Sequence, residues 1–106
     1  MKVVKLDLDF LIGPIVKDVF SESKNVLVTG VDVIDNDEVI ADLDKRIMEL
    51  YSSFYSFDEK DSCKFDVELA NSHKDELNRL VKQLIDCLNK INDGSFVIED
   101  NIQLDF

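Results

Sequence analysis

From Asn36 to Phe57 the chain runs NDEVIADLDKRIMELYSSFYSF, and Val39, Leu43, Ile47, Leu50 and Phe54 recur in it every three or four positions. That spacing sets them on one face of a 3.6-residue helix, and such a face must be covered by a sheet or a second helix. The start is marked as well. Asp35 or Asn36 can cap the first turn, Asp35 with Glu38 has the spacing of a capping box, and Asp37 and Glu38 sit where the helix dipole favours negative charge. A second helix follows the same logic: Ser72 is placed to cap it, Leu77, Leu80, Leu84, Leu88 and Ile91 form its stripe, and Asn92-Asp93-Gly94 supplies the stop.

The remaining segments alternate rather than turn. Lys2 to Phe10 directs Val4, Leu6, Leu8 and Phe10 one way and Lys5, Asp7 and Asp9 the other, which predicts a half-buried strand ended by Gly13-Pro14. Ile15 to Phe20 predicts a second strand and Val26 to Ile34 a third. In that third segment Val26 and Val28 are out of phase with Val31 and Val33, so a bulge at Thr29-Gly30 is expected to flip the register. Lys64 to Leu69 predicts a short strand. Phe96, Ile98, Ile102, Leu104 and Phe106 share parity, as in a final strand or a hairpin turning at Asp100-Asn101. The expected architecture is a single α+β domain over residues 1–106: a mainly antiparallel sheet of four to five strands, begun as a meander, with two long helices packed on one face.

At 106 residues one core is expected, and 45% hydrophobic residues is too many for a disordered acidic tail despite a net charge of −11. No apolar run reaches the roughly 20 residues of a membrane span, and no basic start followed by an apolar run predicts export. Cys63 and Cys87 stand far apart without a Cys-x-x-Cys or Cys/His cluster, so two free thiols in the cytoplasm are expected.

The acid is not spread evenly. Residues 32–68 carry twelve acids and four bases, against four and four over 1–31, three and four over 69–92, and four and none over 93–106. A field so lopsided repels nucleic acid and anionic membrane and attracts a basic partner. Tyr51 and Tyr55, four apart beside Phe54, can serve as interface anchors next to the carboxylates. The candidate partner contacts are therefore Asp32, Asp35, Asp37, Glu38, Tyr51, Tyr55, Asp58, Glu59 and Asp61.

Other constellations carry less chemistry. Asp7 and Asp9 in VVKLDLDFLIG resemble the Asp-x-Asp strand of haloacid-dehalogenase phosphotransferases. Leu11, however, stands where that family has threonine or valine, and no strand–helix alternation follows. The acids from Asp32 to Glu38 lack the spacing and the twelfth-position glutamate of a calcium loop, and His73 has no cysteine or serine partner in sequence. No cofactor, metal or catalytic residue is expected, and an enzyme is not.

Four phrases, LDFLIGPIVKD from Leu8, TGVDVIDND at Thr29 to Asp37, LYSSFYSFD at Leu50 to Asp58 and INDGSFVIED at Ile91 to Asp100, together resemble the immunity proteins of bacterial polymorphic-toxin systems, in particular those of contact-dependent growth inhibition. The resemblance implies a cytoplasmic protein that binds one cognate toxin domain, often a basic nuclease, and blocks its active site or its access to substrate. It carries over no catalytic residue. An acidic nucleic-acid mimic of the anti-restriction or anti-CRISPR type is the alternative, since it would use the same charge against a DNA-binding enzyme.

Overall fold

The computed structural model of the chain describes residues 1–57, 60, 62–104 and 106. Its elements are β1 (Lys2–Leu6), β2 (Val19–Ser21), β3 (Val26–Val28), α1 (Asp32–Asp35), α2 (Glu38–Ser52), β4 (Tyr55–Phe57), β5 (Cys63–Phe65), α3 (Val67–Ser72), α4 (Lys74–Ile91) and β6 (Phe96–Asp100). The class is α+β, but the expected four- to five-stranded sheet is replaced by three two-stranded ones. Most strands hold only three residues, too short to build a wide sheet, so α2 packed along α4 provides much of the core. Principal extents of 44 × 30 × 20 Å leave room for about two layers of elements at the usual 10 Å spacing.

β1 pairs with β6, and in parallel: Lys2 lies opposite Phe96 and Leu6 opposite Asp100. The predicted meander is thus absent. Val4 and Leu6 are buried as the alternation requires, yet the strand ends at Leu6 rather than Phe10. Past it the chain doubles back as a hairpin. The Asp7 N–H donates to the Pro14 carbonyl at 2.9 Å, Val16 N–H to Lys5 O at 2.9 Å, and Asp9 bridges Ile12, so the turn falls at Phe10-Leu11 and not at Gly13-Pro14. Ile15 is thereby buried against Leu6. The second predicted strand shrinks to β2, which pairs antiparallel with β3 across a loop closed by Asn25 in the left-handed region.

The change of phase after Val28 marks a switch of element and not a bulge. Gly30 adopts φ +84°, which favours glycine, and the chain enters the short helix α1. Buried Thr29 and the Asp35 carboxylate fix this corner: Asp35 Oδ1 accepts from Thr29 N (3.0 Å) and Thr29 Oγ1 (2.7 Å), while Oδ2 accepts from Gly30 N (3.0 Å). These bonds outweigh the β preference of Val31 and Val33.

The cap of α2 falls one residue after Asn36 and two after Asp35, the two predicted caps. Asp37 is its N-cap, accepting from Ile40 N at 2.9 Å, and Asp35 and Glu38 form no capping box because Asp35 is committed to the preceding turn. Its buried residues are Ile40, Leu43, Asp44 and Ile47. Val39, placed on the stripe by sequence, is 61% exposed. Phe54 does reach the core, but from the turn after the helix, and residues 55–57 form β4 against β5. The strand expected over Lys64–Leu69 stops at Phe65, where Asp66 caps α3 by accepting from Leu69 N at 3.0 Å.

Ser72 ends α3 instead of capping α4, and His73 takes the N-cap position. Of the predicted α4 stripe, Leu77, Leu80, Leu84 and Leu88 are buried with Val81 and Ile91 only partly, and each fully buried residue contributes on the order of 2 kcal/mol. Gly94 at φ +90° completes the stop, with Asn92 Oδ1 accepting from its N–H at 2.9 Å. Of the two expected endings the final strand is present as β6, and no hairpin follows it among the described residues. Asn101 N–H donates to Leu6 O at 2.9 Å, and Ile102, Leu104 and Phe106 pack irregularly against the core.

Candidate functional site

The acids predicted to meet a partner divide into two kinds. At the α1–α2 corner, Asp35 and Asp37 spend their carboxylates on backbone N–H groups, as described above, and hold the corner in shape. Asp32, in the first turn of α1, and Glu38, in the first turn of α2, are exposed. Neither side chain has a hydrogen-bond partner among the described residues. Asp58, Glu59 and Asp61 lie outside the described residues.

Tyr51 and Tyr55 sit at the other end of α2, and a 1.5 Å rise per residue puts Tyr51 about 20 Å from Glu38. The structure does not bring these tyrosines to the corner acids. Their hydroxyls hydrogen-bond each other at 3.0 Å, and their rings belong to a cluster with Phe10, Phe54, Phe57, Phe65 and Phe106 at centroid distances of 5.0–6.2 Å. Burial, then the hydrogen bond to Tyr55, pushes the Tyr51 phenol far above its ordinary range, and the charges of Asp9 and Asp7 add to this. The carboxylates whose charge acts on Tyr51 are in the 7–14 hairpin, whose first half, Asp7 to Phe10, is predicted from sequence as the end of a strand.

That hairpin forms one wall of a groove of about 760 Å³ whose other wall is α2. Leu11, Ile12, Val16, Leu27, Ala41 and Met48 line it, with Asp7 and Asp9 beside them. Asp44 anchors its floor: Oδ1 accepts from the buried Ile15 N at 3.0 Å and Oδ2 from Lys17 Nζ at 2.8 Å. The carboxylate lies so close to Gly13 that a Cβ there would collide with it. Sequence reasoning missed Asp44, although a signal exists. Ile40, Leu43, Asp44 and Ile47 occupy i, i+3, i+4 and i+7 of one face, and an acid in that series needs a buried partner.

The wall is held under tension. Leu11 adopts φ +59°, a region that disfavours a branched side chain by about 1–2 kcal/mol, and its N–H donates to Ser52 Oγ at 2.8 Å. Chemically the arrangement can bind, since it offers apolar surface and carboxylates. Asp7 and Asp9 each accept from the next residue's N–H at 2.8 Å. His73 stacks on Phe54, with Nδ1 3.2 Å from Glu76 Oε2. Among the described residues no group of three or more His, Cys, Asp or Glu side chains is arranged to hold a metal ion, and no helix is long and apolar enough to cross a membrane. Cys63 and Cys87 are free thiols. Compared with family models, curated proteins and solved structures, the chain matches none.

Proposed function

We propose that this protein is a stoichiometric inhibitor of a basic protein domain, an immunity protein that captures its cognate toxin, probed most directly as a nuclease, in the cytoplasm. The reading is supported by one observation above others: the excess of twelve acids over four bases in residues 32–68 includes Asp32 and Glu38, displayed at the α1–α2 corner and without an ion pair among the described residues. Fixed, unpaired charge of this kind raises the rate of encounter with a cationic surface by about 10- to 10³-fold at low salt and lends specificity more than affinity. Short-range affinity then comes from desolvated apolar contact.

The test pairs the purified protein with the product of the gene preceding its own, measuring 1:1 complex formation and the growth inhibition or nuclease activity that remains. Reversal of Asp32 and Glu38 to lysine is the informative variant, because reversing Asp35 or Asp37 would also dismantle the corner. The double reversal should slow association at least tenfold at low salt and flatten its salt dependence. Association that is unchanged would refute the role of this surface.

A further inference from the structure

The groove between the 7–14 hairpin and α2 has shape, composition and charge that together specify an occupant. Its volume, about 760 Å³, lies within the range of sites that enclose ligands or several side chains. Its walls are apolar and wet: Leu11 is 63% exposed, Ile12 55% and Leu27 56%, so a filling group would gain by removing this surface from water. The floor is fixed before any partner arrives, through Asp44 on Ile15 and Lys17 and through Ser52 on Leu11.

The charge around the groove is unbalanced in one direction. Lys17 is neutralised by Asp44 at 2.8 Å, and Lys45 leans toward Glu49 at 3.9 Å. Asp7 and Asp9, by contrast, hold only the N–H of the following residue, and neither forms an ion pair among the described residues. A second copy of this chain, at net charge −11, is repelled, whereas a cationic partner is drawn in.

We infer that this groove seats an apolar side chain of a basic protein, with a flanking arginine or lysine of the same segment reaching Asp7 and Asp9. Arginine is the better fit, because its planar guanidinium can engage a carboxylate through two parallel hydrogen bonds. The inference rests on the reading of the protein as an inhibitor of a basic domain, and adds the seat at which the two surfaces lock.

The probe is a capped hexapeptide alternating leucine and arginine, titrated into the 15N- and methyl-labelled full chain at low salt, beside glycine–arginine and leucine–glutamate peptides of equal length. The leucine–arginine peptide should shift the signals of Leu11, Ile12, Leu27 and Met48 and bind at least tenfold more tightly than either control. Ala41→Phe, which fills the groove from an exposed helix position, should remove that advantage, as should Leu27→Ser if the first variant folds poorly. Asp7→Asn with Asp9→Asn should reduce it. Equal affinity of the two cationic peptides, with shifts at Asp32 and Glu38 alone, overturns the seat while leaving the acidic-surface reading intact. Silence of both cationic peptides everywhere overturns both, and leucine–glutamate binding as tightly as leucine–arginine overturns the choice of a cationic occupant.

Discussion

Replacing Asp44 by alanine should destabilise the protein by about 2–3 kcal/mol, and the figure follows from two separate bonds. The first is to the Ile15 N–H at 3.0 Å. Ile15 is 2% exposed, so water does not replace the lost acceptor, and an unsatisfied buried donor costs about 1–3 kcal/mol. The second is the ion pair with Lys17, whose side chain is 42% exposed. Screening limits a pair of this kind to about 1 kcal/mol or less. Lys17→Met should therefore cost no more than about 1 kcal/mol. Asp44→Asn, which keeps an oxygen for Ile15 but loses the charge, should fall near that smaller value. With an unfolding entropy of about 0.2 kcal/mol/K for a domain of this size, Asp44→Ala should lower Tm by about 10–15 °C. Urea titration and thermal melts followed by circular dichroism measure all three variants. Equal losses for Asp44→Ala and Lys17→Met would refute the assignment, since they would place the energy in the ion pair and not in the backbone acceptor.

Two further expectations come from the same region. Leu11→Gly should raise Tm by several degrees, because glycine relieves the left-handed strain worth about 1–2 kcal/mol, while weakening the binding of the leucine–arginine peptide; a lower Tm would show that Leu11 packs more than it strains. The chain has two tyrosines and no tryptophan, so absorbance near 295 nm reports phenol ionisation directly and should show Tyr51 resisting it as pH rises past 10. Tyr51 is raised above its ordinary value of 10.0 in the fold, so the native state holds that proton more tightly than the unfolded chain. Stability should consequently fall as pH climbs past 10, and Tyr51→Phe should remove part of that fall. A pH dependence identical in Tyr51→Phe would contradict the burial of this phenol.

Helix content was largely legible in the sequence, because burial repeats every three or four residues along both long helices. The limits were less so. Phe54 continues the α2 periodicity although the helix has ended at Ser52, since a turn can point a ring into the same core. Val39 and Ile40 are adjacent and chemically alike, and each has apolar residues three or four positions on, so periodicity alone did not separate buried Ile40 from exposed Val39. The strand pairings were not legible. Periodicity says which side of a strand is apolar and nothing of its neighbour, so the parallel union of β1 with β6 leaves no local trace. The acid excess was visible as charge, but its division into structural Asp35 and Asp37 and displayed Asp32 and Glu38 depends on backbone N–H groups that composition does not record. The groove was hidden for a related reason. It arises where the 7–14 segment returns over α2, and the alternation of Leu8 and Phe10 gave no notice that the strand had already stopped.

The pairing of Lys2 with Phe96 also sets an order of events during biosynthesis. A chain emerging vectorially at about 5–20 residues per second must wait on the order of 5–20 s between completing the first strand and completing its mate. Throughout that interval β1 has only the returning 14–16 segment beside it, and the loop that must close runs from residue 7 to residue 95, a slow kind of contact to establish. The nascent protein is accordingly a client for anything that shields apolar segments near the ribosome exit until residues 96–100 have emerged.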